Sequence, residues 1–150
     1  MKDHGPQVHA AIGELQRLTD LFRERRAQLA RSVGLTEQQW QVLEEIATEH
    51  FMPSMFARAR DSSAAAVSRT LRQLLDKGLV AVSVSPDDGR HRRYVLTPRG
   101  ARTMERLRER RREAIEAIWM ALDPAALRTF THVSREIAGR IEAYAARQTS

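Results

Sequence analysis

The sequence contains no cysteine among its 150 residues. Disulfide bonds, thiolate metal sites and cysteine-based peroxide sensing are therefore excluded. No apolar run approaches the roughly 18 residues that a transmembrane helix needs. The N-terminus also lacks an apolar stretch behind Lys2 that would act as a secretory signal. We therefore expect a cytoplasmic protein with no membrane partner.

The sequence also lacks the motifs of common enzyme classes. It has no glycine-rich phosphate loop and no Gly-x-Ser-x-Gly segment. Its five histidines are scattered without metal-ligand spacing. We therefore expect no enzymatic activity, no cofactor and no metal site.

Lysine is scarce, since only Lys2 and Lys77 are lysine among 25 basic residues. The formal charge is +6 and the sequence pI is about 10.8. Nucleic acid is the commonest partner of such a protein, and the planar fork of arginine suits phosphate and guanine. An anionic membrane surface, an acidic protein partner and a GC-rich genome are the alternative explanations of the arginine content.

Hydrophobic periodicity predicts helices over the first third of the chain. Between residues 8 and 29, apolar side chains recur at steps of three and four, which indicates one face of a long helix. A second helix is predicted to begin at Thr36, which can form a capping box with Gln39. A short helix is predicted after Pro53.

The middle of the chain reads as a helix followed by a β-hairpin. The segment 61–63 can cap a helix that runs from about Ala64 to Lys77 and ends at Gly78. Residues 79–84 are β-prone, residues 86–89 form a turn, and residues 92–96 form the returning strand.

Two further helices complete the chain, and a Thr-Pro or Asp-Pro pair begins each of them. The fold class is therefore mostly α with a small β-hairpin, a winged helix-turn-helix whose N- and C-terminal helices form a dimerisation region. We divide it into dimerisation helices at 1–35 and 123–150, a DNA-binding lobe at 36–97 and a long connecting helix at 98–122.

The second helix of such a motif must fit a major groove about 12 Å wide, so small or hydrogen-bonding side chains are needed near its start. The predicted groove-reading residues are Ser62, Ser63, Ala65, Ala66, Ser68, Arg69 and Arg72. Plain helix propensity is the alternative explanation of the alanines. A solvated face or a phosphate contact is the alternative for Arg72.

The tip of the predicted hairpin is strongly basic. A wing of this kind typically enters the minor groove, where negative potential attracts arginine. Arg90 is the first candidate, with Arg92 beside it, and Asp88 can hydrogen-bond across the turn to hold Arg90. The alternative is a solvated turn.

Three motifs in this order resemble the MarR family of bacterial transcription regulators. They are Gly78-Leu79-Val80, Pro86-Asp87-Asp88-Gly89-Arg90 and Leu96-Thr97-Pro98-Arg99-Gly100. The resemblance covers roughly residues 8–147. It implies groove-reading roles for Ser63, Ala65, Ala66, Ser68 and Arg69, and a wing pair of Asp88 and Arg90. The chain departs from the family pattern at Arg60 and Ser62, where apolar residues are usual.

A single recognition helix and wing neutralise too few phosphates for tight specific binding, whereas a two-fold dimer reads two half-sites. The apolar side chains along one face of each terminal helix are more than a small winged-helix domain can bury on its own. The predicted interface residues are Val8, Ile12, Leu15, Phe130, Val133, Ile137, Ile141 and Tyr144. An intramolecular helical bundle is the alternative.

The resemblance implies a repressor that binds a palindromic operator in double-stranded DNA as a homodimer and is released by a small aromatic anion. Trp40, Met52 and Phe56 are candidates for the effector pocket, with ordinary core as the alternative. A winged-helix module that binds protein without reading an operator is the alternative function. The arginine-rich segment 99–112 fits either a phosphate-facing surface or the solvated face of a helix.

Overall fold

The computed structural model describes residues 4–48, 50–84 and 92–149, with the backbone alone at Val84. The chain divides into two compact units, Met1–Arg110 and Arg111–Ser150. The elements are α1 (Gly5–Ser32), α2 (Glu37–Ala47), α3 (Pro53–Ala59), α4 (Ala64–Asp76), β1 (Val80–Val84), β2 (Arg92–Leu96), α5 (Pro98–Ile118) and α6 (Pro124–Gln148). The predicted fold class, mostly α with a small β-hairpin, is confirmed. None of the described helices is long and apolar enough to cross a membrane.

Local sequence explains how α1 gives way to α2. Gly34 adopts a φ of +76°, a left-handed conformation that ends α1 without a side-chain clash. The Thr36 hydroxyl accepts from the Gln39 backbone N–H at 3.1 Å, and the Gln39 side chain accepts from the Thr36 N–H at 3.1 Å. The predicted capping box is therefore present, and it satisfies two backbone donors at the start of α2.

The core of the first unit packs α2 and α4 together with the ends of α1, α3 and β1. Val42, Leu43 and Leu74 are completely buried. Each fully buried aliphatic side chain contributes roughly 1.5–3 kcal/mol relative to an exposed one. The other large core side chains are Leu29, Leu35, Trp40, Ile46, Phe56, Val67, Leu71, Leu79, Val80, Met104 and Leu107.

The hairpin pairs β1 and β2 antiparallel, with Val80 opposite Leu96 and Val84 opposite Arg92. Tyr94 lies opposite Val82, and its ring meets the edge of Phe51 with centroids 6.0 Å apart. This contact packs the middle of the hairpin against the segment that precedes α3. The hairpin tip, residues 85–91, lies outside the described residues.

A hydrogen-bonded junction joins the end of α4 to the start of α5. The Thr97 hydroxyl donates to the Gly78 carbonyl at 2.6 Å and accepts from the Gly100 N–H at 3.0 Å. The Thr97 N–H donates to the Leu79 carbonyl at 3.1 Å. Gly78 has a φ of +71°, which turns the chain from α4 towards β1. These contacts join the motif at residues 78–80 directly to the motif at residues 96–100.

Gly100 allows this junction to close, and we expect Gly100→Ala to destabilise the fold by about 1–3 kcal/mol. A Cβ at this buried position would overlap the Leu79 carbonyl oxygen and lie 3.1 Å from its carbonyl carbon. Both are backbone atoms, so the strain cannot be relieved by rotating a side chain. Chemical denaturation followed by circular dichroism measures the effect.

The matched control is Gly139→Ala in α6, because the added Cβ there meets nothing within 4 Å apart from its chain neighbours and the backbone of its own helix. Alanine has the higher helix propensity, so this variant should be unchanged or more stable by about 0.5–1 kcal/mol. Equal unfolding free energies for Gly100→Ala and the wild type would contradict the packing at Leu79.

The second unit contains the end of α5, a turn and α6. We predicted that the helix after Thr97 continues to Ala121, but α5 ends at Ile118. The Met120 N–H donates to the Ile115 carbonyl, five residues back, and the Leu122 N–H donates to the Trp119 carbonyl, three residues back. These two bonds depart from the i−4 pattern of an α-helix and form a turn. Asp123 caps α6 by accepting from the Ala125 N–H at 3.2 Å.

An ion pair between Arg140 and Glu136 lies on the surface of α6. Arg140 donates to Glu136 at 2.8 Å, one helical turn away. The hydrogen bond and the charge of this guanidinium lower the pKa of the Glu136 carboxyl. The pair lies at the solvent surface and supports the helix only weakly.

Candidate nucleic-acid interface

The helix α4 has one buried and one exposed face. Val67, Leu71 and Leu74 are buried in the core of the first unit, and Thr70 is buried with them. Because residues three and four apart share a helix face, the opposite face consists of other side chains. These are Ala65, Ser68, Arg69 and Arg72, all exposed. We call these four residues the α4 outer face.

Ser63 begins this helix. Its hydroxyl oxygen accepts from the Ala66 N–H at 3.0 Å, so Ser63, rather than Asp61 or Ser62, is the cap. The hydroxyl hydrogen is still available to donate to another group. Ala64 and Ala65 are exposed and present only methyl groups, so a nucleic-acid surface can approach this first turn closely.

The turn between α3 and α4 accommodates the two polar residues that depart from the family pattern. The Arg60 guanidinium points outwards, 3.5 Å from the Glu45 carboxylate and 5.5 Å from the centroid of the Phe56 ring. Ser62 is half-buried, and its N–H donates to the Ala57 carbonyl at 2.8 Å. Phe56 and Ala57 supply the buried apolar contacts at this point, so the turn needs no apolar side chain at 60 or 62.

A polar network centred on the buried Gln39 side chain holds α4 against α2. Gln39 is 3% exposed, and its side-chain amide donates to the Gln73 side chain at 2.9 Å. The Lys77 ammonium donates to the Gln39 side chain at 2.7 Å and to the Gly34 carbonyl at 2.8 Å. Sequence reasoning identified Gln39 only as a cap residue. The network restrains the rotation of α4 about its axis, and so the direction in which the α4 outer face points.

The predicted wing residues are described only in part. Arg92 begins β2 and is exposed, opposite Val84 at the tip end of the paired strands. Arg93 follows it and is also exposed. Asp88 and Arg90 lie outside the described residues, so their roles stay predictions.

The predicted dimer residues of the first unit lie on α1 and are strongly exposed. Val8 is 49% exposed, Ile12 is 47% exposed and Leu15 is 52% exposed. The buried residues of α1 are confined to Leu29 and Ala30 near its C-terminal end. The N-terminal half of α1 therefore presents an apolar stripe that the described part of this chain leaves uncovered.

The predicted dimer residues of the second unit lie on α6, a helix of 25 residues with no buried residue. Five apolar side chains recur along it at steps of three and four, and each is between 43% and 59% exposed. They are Phe130, Val133, Ile137, Ile141 and Tyr144. We call these five residues the α6 apolar face.

The three effector-pocket candidates lie in different environments. Trp40 is 3% exposed, and the Arg26 guanidinium covers its ring at 4.1 Å. Phe56 is also a core residue, whereas Met52 is 53% exposed. The positions of Trp40 and Phe56 favour the core interpretation of these two residues. An effector role for the three stays a prediction.

Within the described ranges, no group of three or more histidine, aspartate or glutamate side chains could hold a metal ion. Lys77 and Asp76, at the end of α4, are exposed, and so are the arginines of the first turns of α5. The exposed surface of α4 therefore presents hydroxyl, methyl and guanidinium groups, with the Asp76 carboxylate at its end.

Comparison with known proteins gives a consistent result. Residues 33–91 match the family model described as MarR family. No curated protein matches the sequence. A crystal structure of a MarR family transcription regulator superposes with a TM-score of 0.81 at 20% identity, covering 96% of this chain and 98% of that one.

Two structures from Staphylococcus aureus carry bound molecules. MarR in complex with salicylate and kanamycin superposes with a TM-score of 0.74 at 15% identity, covering 93% of this chain and 95% of that one. A mutant of MepR bound to an oligodeoxyribonucleotide superposes with a TM-score of 0.65 at 17% identity, covering 87% and 97%. The resemblance seen in the sequence is confirmed: this chain carries a MarR-family segment at residues 33–91 within the winged-helix fold of MarR-family transcription regulators.

Proposed function

We propose that the protein is a ligand-responsive transcriptional repressor that binds a palindromic operator in double-stranded DNA as a homodimer. The α4 outer face is the observation that carries this proposal. It sets methyl, hydroxyl and guanidinium groups opposite the buried face of the same helix. Arginine donates in a bidentate fashion to guanine, and alanine contacts the thymine methyl group.

The homodimer is supported by the apolar stripes of α1 and α6. Each helix exposes apolar side chains along one face, and large exposed apolar patches on soluble proteins commonly mark protein interfaces. A two-fold axis would place the same patch of both copies in contact and set two α4 helices about one turn of DNA apart. The division into dimerisation helices and a DNA-binding lobe, and the cytoplasmic location, belong to the same proposal.

The ligand response is supported by fold similarity to S. aureus MarR, whose structure contains salicylate. In the proposed mechanism, an aromatic anion prefers one spacing of the two α4 helices and so changes the affinity for DNA. DNA binding is supported in the same way by MepR, whose structure contains an oligodeoxyribonucleotide. The predicted lack of enzymatic activity fits a regulator of this kind.

The test is Arg69→Ala, which we expect to weaken binding to a specific duplex by about 1–3 kcal/mol, or roughly 5- to 150-fold. Arg69 lies in the centre of the α4 outer face and is exposed. The duplex is one that the wild-type protein selects from a random pool, and fluorescence anisotropy measures the affinity.

The control is Arg135→Ala, which removes the same charge from an exposed position of α6. By helical spacing, Arg135 lies on the opposite side of α6 from the α6 apolar face. Its affinity should stay within about twofold of the wild type, since the change touches neither the proposed reading surface nor the proposed interface. Wild-type affinity in Arg69→Ala would refute the reading role of α4.

A further inference from the structure

An open pocket of about 550 Å³ lies in the first unit, where the ends of α1 and α4 meet the start of α5. Val33 and Leu79 supply apolar contacts to its wall. Four cationic side chains also line it, together with one carboxylate. They are Lys77, Arg99, Arg102, Arg106 and Asp76. None of the effector candidates Trp40, Met52 and Phe56 lines this pocket.

The three arginines stand on one side of α5. Arg99, Arg102 and Arg106 are spaced by three and four residues, so they lie one above another on the same helix face. Within residues 4–48, 50–84 and 92–149, no ion pair involves any of the three. The first turn of α5 contains no acidic residue, although a helix N-terminus favours negative charge. Among the described residues, the pocket lining therefore carries four cationic groups against the single carboxylate of Asp76.

We propose that this pocket binds a small polyanion, a metabolite with two or more negative charges on phosphate or carboxylate groups. Its volume is in the range of pockets that hold small molecules. Guanidinium groups bind phosphate and carboxylate oxygens in bidentate pairs that are stronger than neutral hydrogen bonds. Asp76 opposes a bound anion, and the four cationic groups outnumber it.

The residues that line this pocket do not suit an aromatic anion. It contains no phenylalanine, tyrosine or tryptophan, so no ring is available to stack on an aromatic ligand. A single carboxylate would also balance only part of the positive charge. The chemistry selects a compact ligand of high charge density.

The position of the pocket favours a free metabolite over the DNA backbone. The pocket contacts α4 only at its last turn, at Asp76 and Lys77. Thirteen helical residues span roughly 18–20 Å, which separates the pocket from Ser63 at the start of the helix. The groove-reading residues of the first turn and the pocket therefore lie at opposite ends of α4, whereas Arg72 lies one helical turn from Asp76.

Lys77 lines the pocket and also belongs to the hydrogen-bonded network between α2 and α4. Two of its three ammonium donors already bind Gly34 and Gln39, which holds its side chain in place. Within the described part of the chain, the third donor has no partner and is available to a ligand. Lys77 would thus be held in place before an anion binds, which reduces the entropic cost of association.

Calorimetric titration of the full chain with inorganic pyrophosphate, and separately with citrate, tests the site at constant ionic strength. We expect saturable binding of one anion per chain to at least one of the two probes. Arg102→Gln combined with Arg106→Gln should weaken that binding at least about tenfold, because two charge-assisted contacts are lost. Arg111→Gln combined with Arg112→Gln removes the same charge from α5 outside the pocket and should leave the affinity within about twofold.

The absence of saturable binding in the wild type, or equal affinities in both double variants, would overturn the proposal. Weaker duplex binding by Arg102→Gln/Arg106→Gln, together with no binding of pyrophosphate or citrate, would instead assign these arginines to the DNA backbone. The titration requires no DNA, so its result is independent of the Arg69→Ala test of the proposed function.

Discussion

Replacing Ile137 and Ile141 together with glutamate is expected to convert a dimer into a monomer at micromolar concentration. Both side chains belong to the α6 apolar face and are exposed in the single chain. In a two-fold interface each change occurs twice, so four carboxylates would lose water without gaining partners. Sedimentation velocity measures the oligomeric state.

The same variant should lose at least about 100-fold in affinity for the selected duplex, because a monomer binds only one half-site. The control is Gly139→Glu with Ala143→Glu, which adds the same charge on the opposite side of α6 at positions that are exposed in this chain. The control should remain dimeric, and circular dichroism should show unchanged helix content in both variants. An intact dimer of the Ile137 and Ile141 variant would reject this interface.

Leu74→Ala is expected to lower the free energy of unfolding by about 2–5 kcal/mol, since it leaves a cavity in the core. Leu74 is completely buried and packs α4 against the core of the first unit. Urea denaturation at fixed protein concentration measures the change, because dissociation of a dimer makes stability depend on concentration.

Leu75→Ala is the matched comparison, because it makes the same chemical change at the neighbouring, half-buried position. Its expected cost is about 1 kcal/mol, since the lost contacts are partly replaced by water. Equal costs for the two variants would contradict the orientation of α4 and therefore the assignment of its outer face.

Elements with a local cause were predictable from the sequence. The Thr36 and Gln39 capping box needs only residues three apart, and it is present. The helix starts at Pro98 and Pro124 follow from a capping side chain before a proline whose missing N–H costs nothing there. Alternating valines likewise predicted β1, because a strand repeats every two residues.

Features that depend on distant partners were not predictable. Gln39 binds Gln73 and Lys77, which are 34 and 38 residues away in the chain. No spacing rule connects them, because they meet only once α2 packs on α4. The anion pocket has the same origin, since helical spacing predicts a face for the arginines of α5 but does not place Lys77 beside that face.

Arg60 shows how a departure from a family pattern is accommodated. The sequence places a charged residue where apolar ones are usual, and local rules provide no partner for it. In the fold, Glu45 of α2 lies 3.5 Å away and Phe56 supplies a ring surface. The ion pair with Glu45 and the contact with the Phe56 ring both arise from tertiary packing. The sequence around residue 60 does not predict them.

The dependence of duplex DNA affinity on salt tests the central claim most directly. A dimer that neutralises about six to ten phosphates releases the counterions bound to them, so the logarithm of the association constant should fall linearly with the logarithm of salt concentration, with a slope of about −5 to −9. Anisotropy titrations of the wild-type protein between low and physiological salt measure this slope. A flat dependence would contradict DNA binding and favour a winged-helix module whose partner is a protein.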